Sequence, residues 1–174
     1  MTESSSAGRS FESIYRLFAP FVTGYLRARG VEDPEAVTQE VFIAVLPKID
    51  KISGGEDGVR ALLFSIAHAR AVDHHRERAR RVPTVEYDPA LDGRLTSSAE
   101  EIVLTRADHE ETIALLAWLK TEHREVLLLR VVADLSLEQA AKVMGKSVGS
   151  VKQLQRRAIL ALKEHPRIAD GMLR

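Results

Sequence analysis

Cysteine is absent from the 174 residues, so no disulfide framework, thiolate metal cluster or cysteine nucleophile can be built from this chain. No apolar run approaches the roughly 18 residues needed to span a bilayer. The opening stretch, Met1 to Ser10, lacks the basic-then-apolar order of a signal peptide. These absences lead us to expect a cytoplasmic protein with no membrane insertion. Net charge is lacking too: 25 basic and 25 acidic residues cancel, which argues against a protein that coats nucleic acid indiscriminately. No period-two alternation worth reading as a strand occurs, and no internal repeat. What remains is a chain that is 45% apolar, the fraction of a folded globular protein.

The charges cancel in sum but not in place. Arg60, Arg70, Arg76, Arg78, Arg80 and Arg81 meet only Asp73 and Glu77 in one stretch. Lys142, Lys146, Lys152, Arg156, Arg157, Lys163 and Arg167 meet only Glu164 in another. Between them lie Glu86, Asp88, Asp92, Glu100, Glu101, Asp108, Glu110 and Glu111. Charge sorted by segment in this way suggests two separate nucleic-acid contacts.

Helical periodicity is the main structural signal. Phe11, Ile14, Tyr15, Phe18, Val22, Tyr25 and Leu26 recur at steps of three and four, lining one face of a helix. Ser10 is a suitable cap, and Pro20 is expected to kink or divide this helix. A second helix starts at Asp33-Pro34-Glu35, with Asp33 as N-cap and Pro34 at the first helical position, and stops before Pro47. A third runs from about Asp57 to Arg81, burying Leu63, Ile66 and Ala67. From Val82 to Ser98 the pattern lapses into a Pro- and Gly-containing linker. Ser98 with Glu101 reads as a capping box, periodicity resumes through Ile102, Ile113, Leu116 and Leu119, and Thr121 is a candidate cap for the next helix. The chain therefore reads as all-α. Two small helical domains (10–82 and 99–166) are joined by a flexible acidic linker (83–98), with a disordered start (1–9) and a short tail (167–174).

The sharpest local pattern runs from Ser136 to Leu162. Ser136-Leu137-Glu138-Gln139 is a capping box, Gly145 marks a turn, and a new helix follows Ser147. In a helix-turn-helix the two helices cross closely, which demands a small residue before the turn, a glycine in it and spaced aliphatics after it. Ala141, Gly145, Val148, Val151 and Leu154 meet those demands. Ser150, Lys152, Gln153, Arg156 and Arg157 then form a polar and basic face suited to phosphates and base edges. The ordinary alternative is a capped hairpin with a solvated face.

Three motifs together resemble the extracytoplasmic-function class of bacterial RNA polymerase sigma factors, from about Ser10 to Lys163. Asp33-Pro34-Glu35-Ala36-Val37-Thr38-Gln39-Glu40-Val41-Phe42 is similar to that family's Asp-x-x-Asp-x-x-Gln-Glu-x-Phe helix, with Ala36 at the second aspartate. The resemblance implies that Asp33, Glu35, Gln39, Glu40 and Phe42 dock on core RNA polymerase. Leu62 through Arg76 resembles the segment that recognises and melts the minus-ten element, with Leu62, His68 and Ala69 in place of Trp, Arg and Asn. It implies promoter contacts by His68, Arg70, His74, His75, Arg76, Arg78 and Arg80. Glu122 through Lys152 resembles the minus-thirty-five-binding domain, implying contacts by Lys146, Ser150, Lys152, Gln153, Arg156 and Arg157. The resemblance further implies an anti-sigma partner and a linker that threads near the polymerase active centre. It implies no cofactor, no metal and no catalysis.

Rival readings are weaker. Asp73-His74-His75 matches a string found in metal-dependent phosphoesterases, but those sites collect aspartates from strand ends, and here the triplet lies in a basic helix. A conventional helix-turn-helix regulator with an N-terminal sensing or dimerisation domain would explain the C-terminal half alone. A purely protein-binding adaptor leaves both basic blocks unexplained.

Overall fold

The structure, a computed structural model, describes residues 11–81 and 112–169. The linker 83–98, the Ser10 cap and the Ser98 capping box lie outside the described residues. Helix α1 (Phe11–Ala28) buries Ile14, Phe18, Val22, Tyr25 and Leu26. It runs through Pro20 without being divided, because Pro20 sits on the exposed side while one continuous apolar face is anchored on both sides of it. Helix α2 (Pro34–Val45) begins as expected: the Asp33 carboxylate accepts from the Ala36 N–H at 3.0 Å. Its end passes into a 3-10 turn (Leu46–Lys51) that carries Pro47 in the first turn, where a missing N–H is harmless. Helix α3 (Gly55–Arg81) is 27 residues long and is entered through Gly54 and Gly55, both at positive φ. It buries Leu63 and Ala67 and half-buries Ile66. An added Cβ at Gly58 would lie 2.1 Å from the Ser53 carbonyl oxygen, so the entry to α3 requires glycine there.

The C-terminal part comprises α4 (residues 112–117), α5 (Thr121–Leu127), a π-helical turn (Leu128–Val132), α6 (Leu137–Met144), α7 (Val148–Lys163) and α8 (Pro166–Ala169). Thr121 is not the cap of α5. Lys120 holds that position without a side-chain bond, and the preceding turn is instead secured by Arg124, which donates to the carbonyls of Leu116, Ala117 and Leu119. At α6 the capping box is present in both directions: the Gln139 N–H donates to Ser136 Oγ at 3.1 Å, and the Ser136 N–H to Gln139 Oε1 at 2.8 Å. Ser136→Ala removes one half of this exchange. We expect it to lower stability by about 1 kcal/mol, read as a shift of the urea midpoint with an unchanged slope.

The two helical parts touch. One apolar cluster runs from Ile14 through Phe64 to Leu128, Leu129 and Val151, and Arg60 on α3 pairs with Asp134, beyond the π turn, at 2.8 Å. Five successive residues, Glu125 to Leu129, are all buried. A helix resting on a single partner cannot bury every side, but this segment lies between the N-terminal helices and the helix-turn-helix. Among the described residues no helix is long and apolar enough to cross a membrane.

Candidate functional site

The helix-turn-helix is built from its turn outward. Gly145 takes the left-handed conformation (φ 62), available to glycine at little cost. The Lys146 N–H then returns to the Ala141 carbonyl at 2.9 Å, closing α6 in a Schellman-type cap. Ser147 opens α7 by accepting from the Ser150 N–H at 3.2 Å. Buried Ala140, Ala141, Val151 and Ala158 let the two helices approach, and their opposite faces are left to solvent. Lys152, Gln153, Arg156 and Arg157 are exposed along α7, and none of these three cations has an ion-pair partner among the described residues. Lys146 is half-buried and bound to Glu122 at 2.7 Å. The bond and charge of that ammonium hold the Glu122 carboxyl below its ordinary range. The Ser150 hydroxyl is bonded to Ser147 at 2.9 Å. Val148, an expected packing residue of the motif, is largely exposed and Leu154 half-buried, so Val151 and the two alanines of α6 carry the contact. An open concavity of about 680 Å³ in front of α7 is lined by Glu122, Lys146, Ser150, Gln153, Leu154 and Arg157, among others.

The basic stretch of α3 differs electrostatically. Arg70 lies 3.7 Å from Glu40, Arg76 3.9 Å from Asp73 and Arg78 3.5 Å from Glu32. Arg80 donates to the Arg76 carbonyl at 3.4 Å. The Arg70–Glu40 and Arg76–Asp73 pairs are exposed and weak. The histidines are more firmly placed. His74 Nε2 accepts from the Glu32 N–H at 3.4 Å. His75 Nε2 donates to the Arg29 carbonyl at 2.7 Å, and burial, together with the charge of neighbouring Arg29, His74 and Arg78, keeps its imidazole pKa below the ordinary value. His68 is turned toward the C-terminal part.

On α2, Gln39 and Glu40 project into solvent, as does Glu35, which pairs with Arg27. Asp33 is occupied as the cap. Phe42 does not belong with them: it is 1% exposed, packed against the rings of Tyr15 and Phe11 at 4.7 and 6.1 Å. Its period in the motif is that of the core, so it sets the position of α2 and does not present a contact.

The residue that sequence reasoning missed is Glu125, 4% exposed. Its Oε2 receives Arg29 Nη1 at 2.5 Å, and its Oε1 receives the Tyr25 hydroxyl at 2.6 Å and His68 Nδ1–H at 2.9 Å. Burial opposes its ionisation, but those bonds and the Arg29 charge prevail, leaving the carboxyl below its ordinary pKa. Burial, and then the negative charge of Glu125 beside it, push the Tyr25 phenol well above its usual value. One signal in the sequence could have found it: Glu125 stands three and four positions before Leu128 and Leu129, on a face otherwise reserved for aliphatics.

Comparisons with known proteins converge. Residues 115–164 match the family described as Sigma-70, region 4. Over 164 residues the chain is 30% identical to the ECF RNA polymerase sigma factor SigD of Mycobacterium tuberculosis, a match covering 89% of this chain and 76% of that one. Over 160 residues it is 28% identical to the RNA polymerase sigma factor YlaC of Bacillus subtilis, covering 90% and 91%. In fold it resembles the sigma factor RpoE of Bartonella quintana, solved with the anti-sigma factor NepR, at a TM-score of 0.65 and 22% identity over 90% of this chain and 96% of that one.

Proposed function

Because this chain belongs to the extracytoplasmic-function sigma factors of the sigma-70 family, we propose that it delivers core RNA polymerase to promoters through three surfaces. The exposed α2 face with Gln39 and Glu40 docks on polymerase. Basic residues of α3, among them Arg70, Arg76 and Arg80, follow the minus-ten strand, where stacking and phosphate contacts offset the few kcal/mol spent on extruding a base. Lys152, Gln153, Arg156 and Arg157 on α7 read the minus-thirty-five duplex in its major groove. As a sigma factor the protein is a transcription initiation factor and not an enzyme. It acts in the cytoplasm with polymerase, promoter DNA and an anti-sigma factor as its partners, and it uses no cofactor. Residues 10–82 form the polymerase and minus-ten unit and 99–166 the minus-thirty-five unit. Tethering two modest DNA contacts to one large enzyme multiplies their strength without any new contact.

The observation that carries this reading is the exposed cationic face of α7, without carboxylate partners among the described residues and set by a capped glycine turn. It is tested by transcription with bacterial core polymerase on a genomic promoter library. New start sites are expected only when the protein is added, and an unchanged set of starts would remove the proposal.

A further inference from the structure

We propose that the cleft between the basic flank of α3 and the start of α5 is a binding site for a phosphoryl anion, either inorganic phosphate or the phosphate monoester of a nucleotide-sized molecule. The cleft holds about 480 Å³, within the range of small-molecule sites. Its walls bring together three guanidinium groups, Arg29, Arg76 and Arg124, with the His75 ring and the Thr121 hydroxyl, and no carboxylate lines it among the described residues. The concavity in front of α7, by contrast, includes Glu122.

The positive charge of this cleft is poorly answered from within the chain. Glu125 pairs with Arg29 alone, through Nη1. Arg76 lies 3.9 Å from Asp73 on the open surface, a pair worth little. Arg124 spends its Nε and Nη2 on the carbonyls of Leu116, Ala117 and Leu119, which carry no full charge, and it has no carboxylate partner among the described residues. Burial, and then the charge of Arg29, hold the Arg124 guanidinium below its usual range, so two like charges stand close together. An independent observation points to the same place. Arg29 is 7% exposed, yet its Nε–H has no hydrogen-bond partner among the described residues. A buried donor left in this way is costly and calls for an acceptor from outside the chain. The wall is also held in place, because His75 Nε2 on α3 donates to the Arg29 carbonyl at 2.7 Å.

A phosphoryl group matches this set. Its oxygens accept paired N–H bonds from a guanidinium fork and an O–H bond from a hydroxyl. A phosphate monoester carries close to two negative charges near neutral pH, where a backbone phosphodiester carries one. Val72 and Ala79 give the cleft an apolar side on which the body of a monoester can rest. A bound phosphoryl group would engage Arg76, so its occupation of the cleft should compete with the minus-ten strand. That consequence alone rests on the sigma-factor reading above.

Isothermal titration of the full-length protein at about 0.15 M ionic strength tests the site with inorganic phosphate, adenosine monophosphate and, as an anion without phosphorus, acetate. One phosphate or nucleotide should bind per chain with a dissociation constant on the order of 0.1 mM, within reach of so small a ligand, and acetate should give no saturable heat. Tighter binding of the nucleotide assigns the site to a phosphate monoester, and equal affinities assign it to the free ion. Arg76→Gln should weaken binding about tenfold and Thr121→Val about threefold to tenfold, with helical content unchanged by circular dichroism. Arg16→Gln, which removes an exposed charge that does not line the cleft, should leave the affinity as it is. Absence of saturable binding, equal responses to phosphate and acetate, or affinity that survives both Arg76→Gln and Thr121→Val overturns the site. So does a single-stranded minus-ten oligonucleotide whose binding needs Thr121 while neither phosphate nor the nucleotide binds, since the cleft would then serve the DNA backbone. Competition between nucleotide and oligonucleotide is scored separately: simultaneous binding of both counts against the promoter role of Arg76 and not against the phosphoryl site.

Discussion

Charge reversal at Arg156 and Arg157 is expected to abolish recognition of the upstream promoter element while leaving association with core polymerase intact. Both guanidinium groups are exposed on α7 without carboxylate partners among the described residues, so their full charge is available to displace counterions from DNA. Losing two phosphate contacts lowers the salt dependence of binding by about two in slope. Glutamate adds repulsion, so affinity for the minus-thirty-five duplex should fall at least about 100-fold at moderate salt. Anisotropy titrations of the reconstituted polymerase complex over a series of salt concentrations read both quantities. Parallel loss of polymerase association would show that α7 serves the enzyme and not the DNA.

The converse is expected on α2. Gln39→Ala with Glu40→Lys changes two of the polar groups that project from its exposed face. Each residue at the centre of a docking surface contributes on the order of 1 kcal/mol or more, so association with core polymerase should weaken about 10- to 100-fold. Stability should change by no more than about 0.5 kcal/mol, as for other surface positions, because the Glu40 contact with Arg70 is 3.7 Å long and exposed. A pull-down against core polymerase, with a thermal melt of the same variant, separates the two effects. Undiminished recovery of polymerase would move the docking surface elsewhere.

Local chemistry was legible in the sequence, and distant chemistry was not. Asp33, Ser136 and Ser147 cap the helices expected of them because a cap acts within three residues. Gly145 adopts the turn its position demands for the same reason. The α7 face was legible because a sixteen-residue helix with buried Val151 and Ala158 leaves only one way for its arginines to point. Phe42 misled because a family motif records which residues recur, and core residues recur beside contact residues. Thr121 misled because Lys120 precedes it in cap geometry and Arg124 supplies bonds that a side-chain cap would have made. Glu125 could be suspected only from its face, since its partners are 57 to 100 positions away in sequence. The contact between the two halves was hidden likewise, as periodicity tells which side of a helix is apolar and not which neighbour covers it.

The run from Glu125 to Leu129 has no outward side. Most helices keep a solvent face on which a change of residue passes unnoticed, but here α5 and the π turn are clasped by one set of neighbours on the left and another on the right. A larger side chain that suited the helix-turn-helix would press on α1 and α3, and one trimmed to suit those would loosen the DNA-reading unit. This short stretch thus behaves as a shared wall between two rooms, and neither can be refurnished without the other being disturbed.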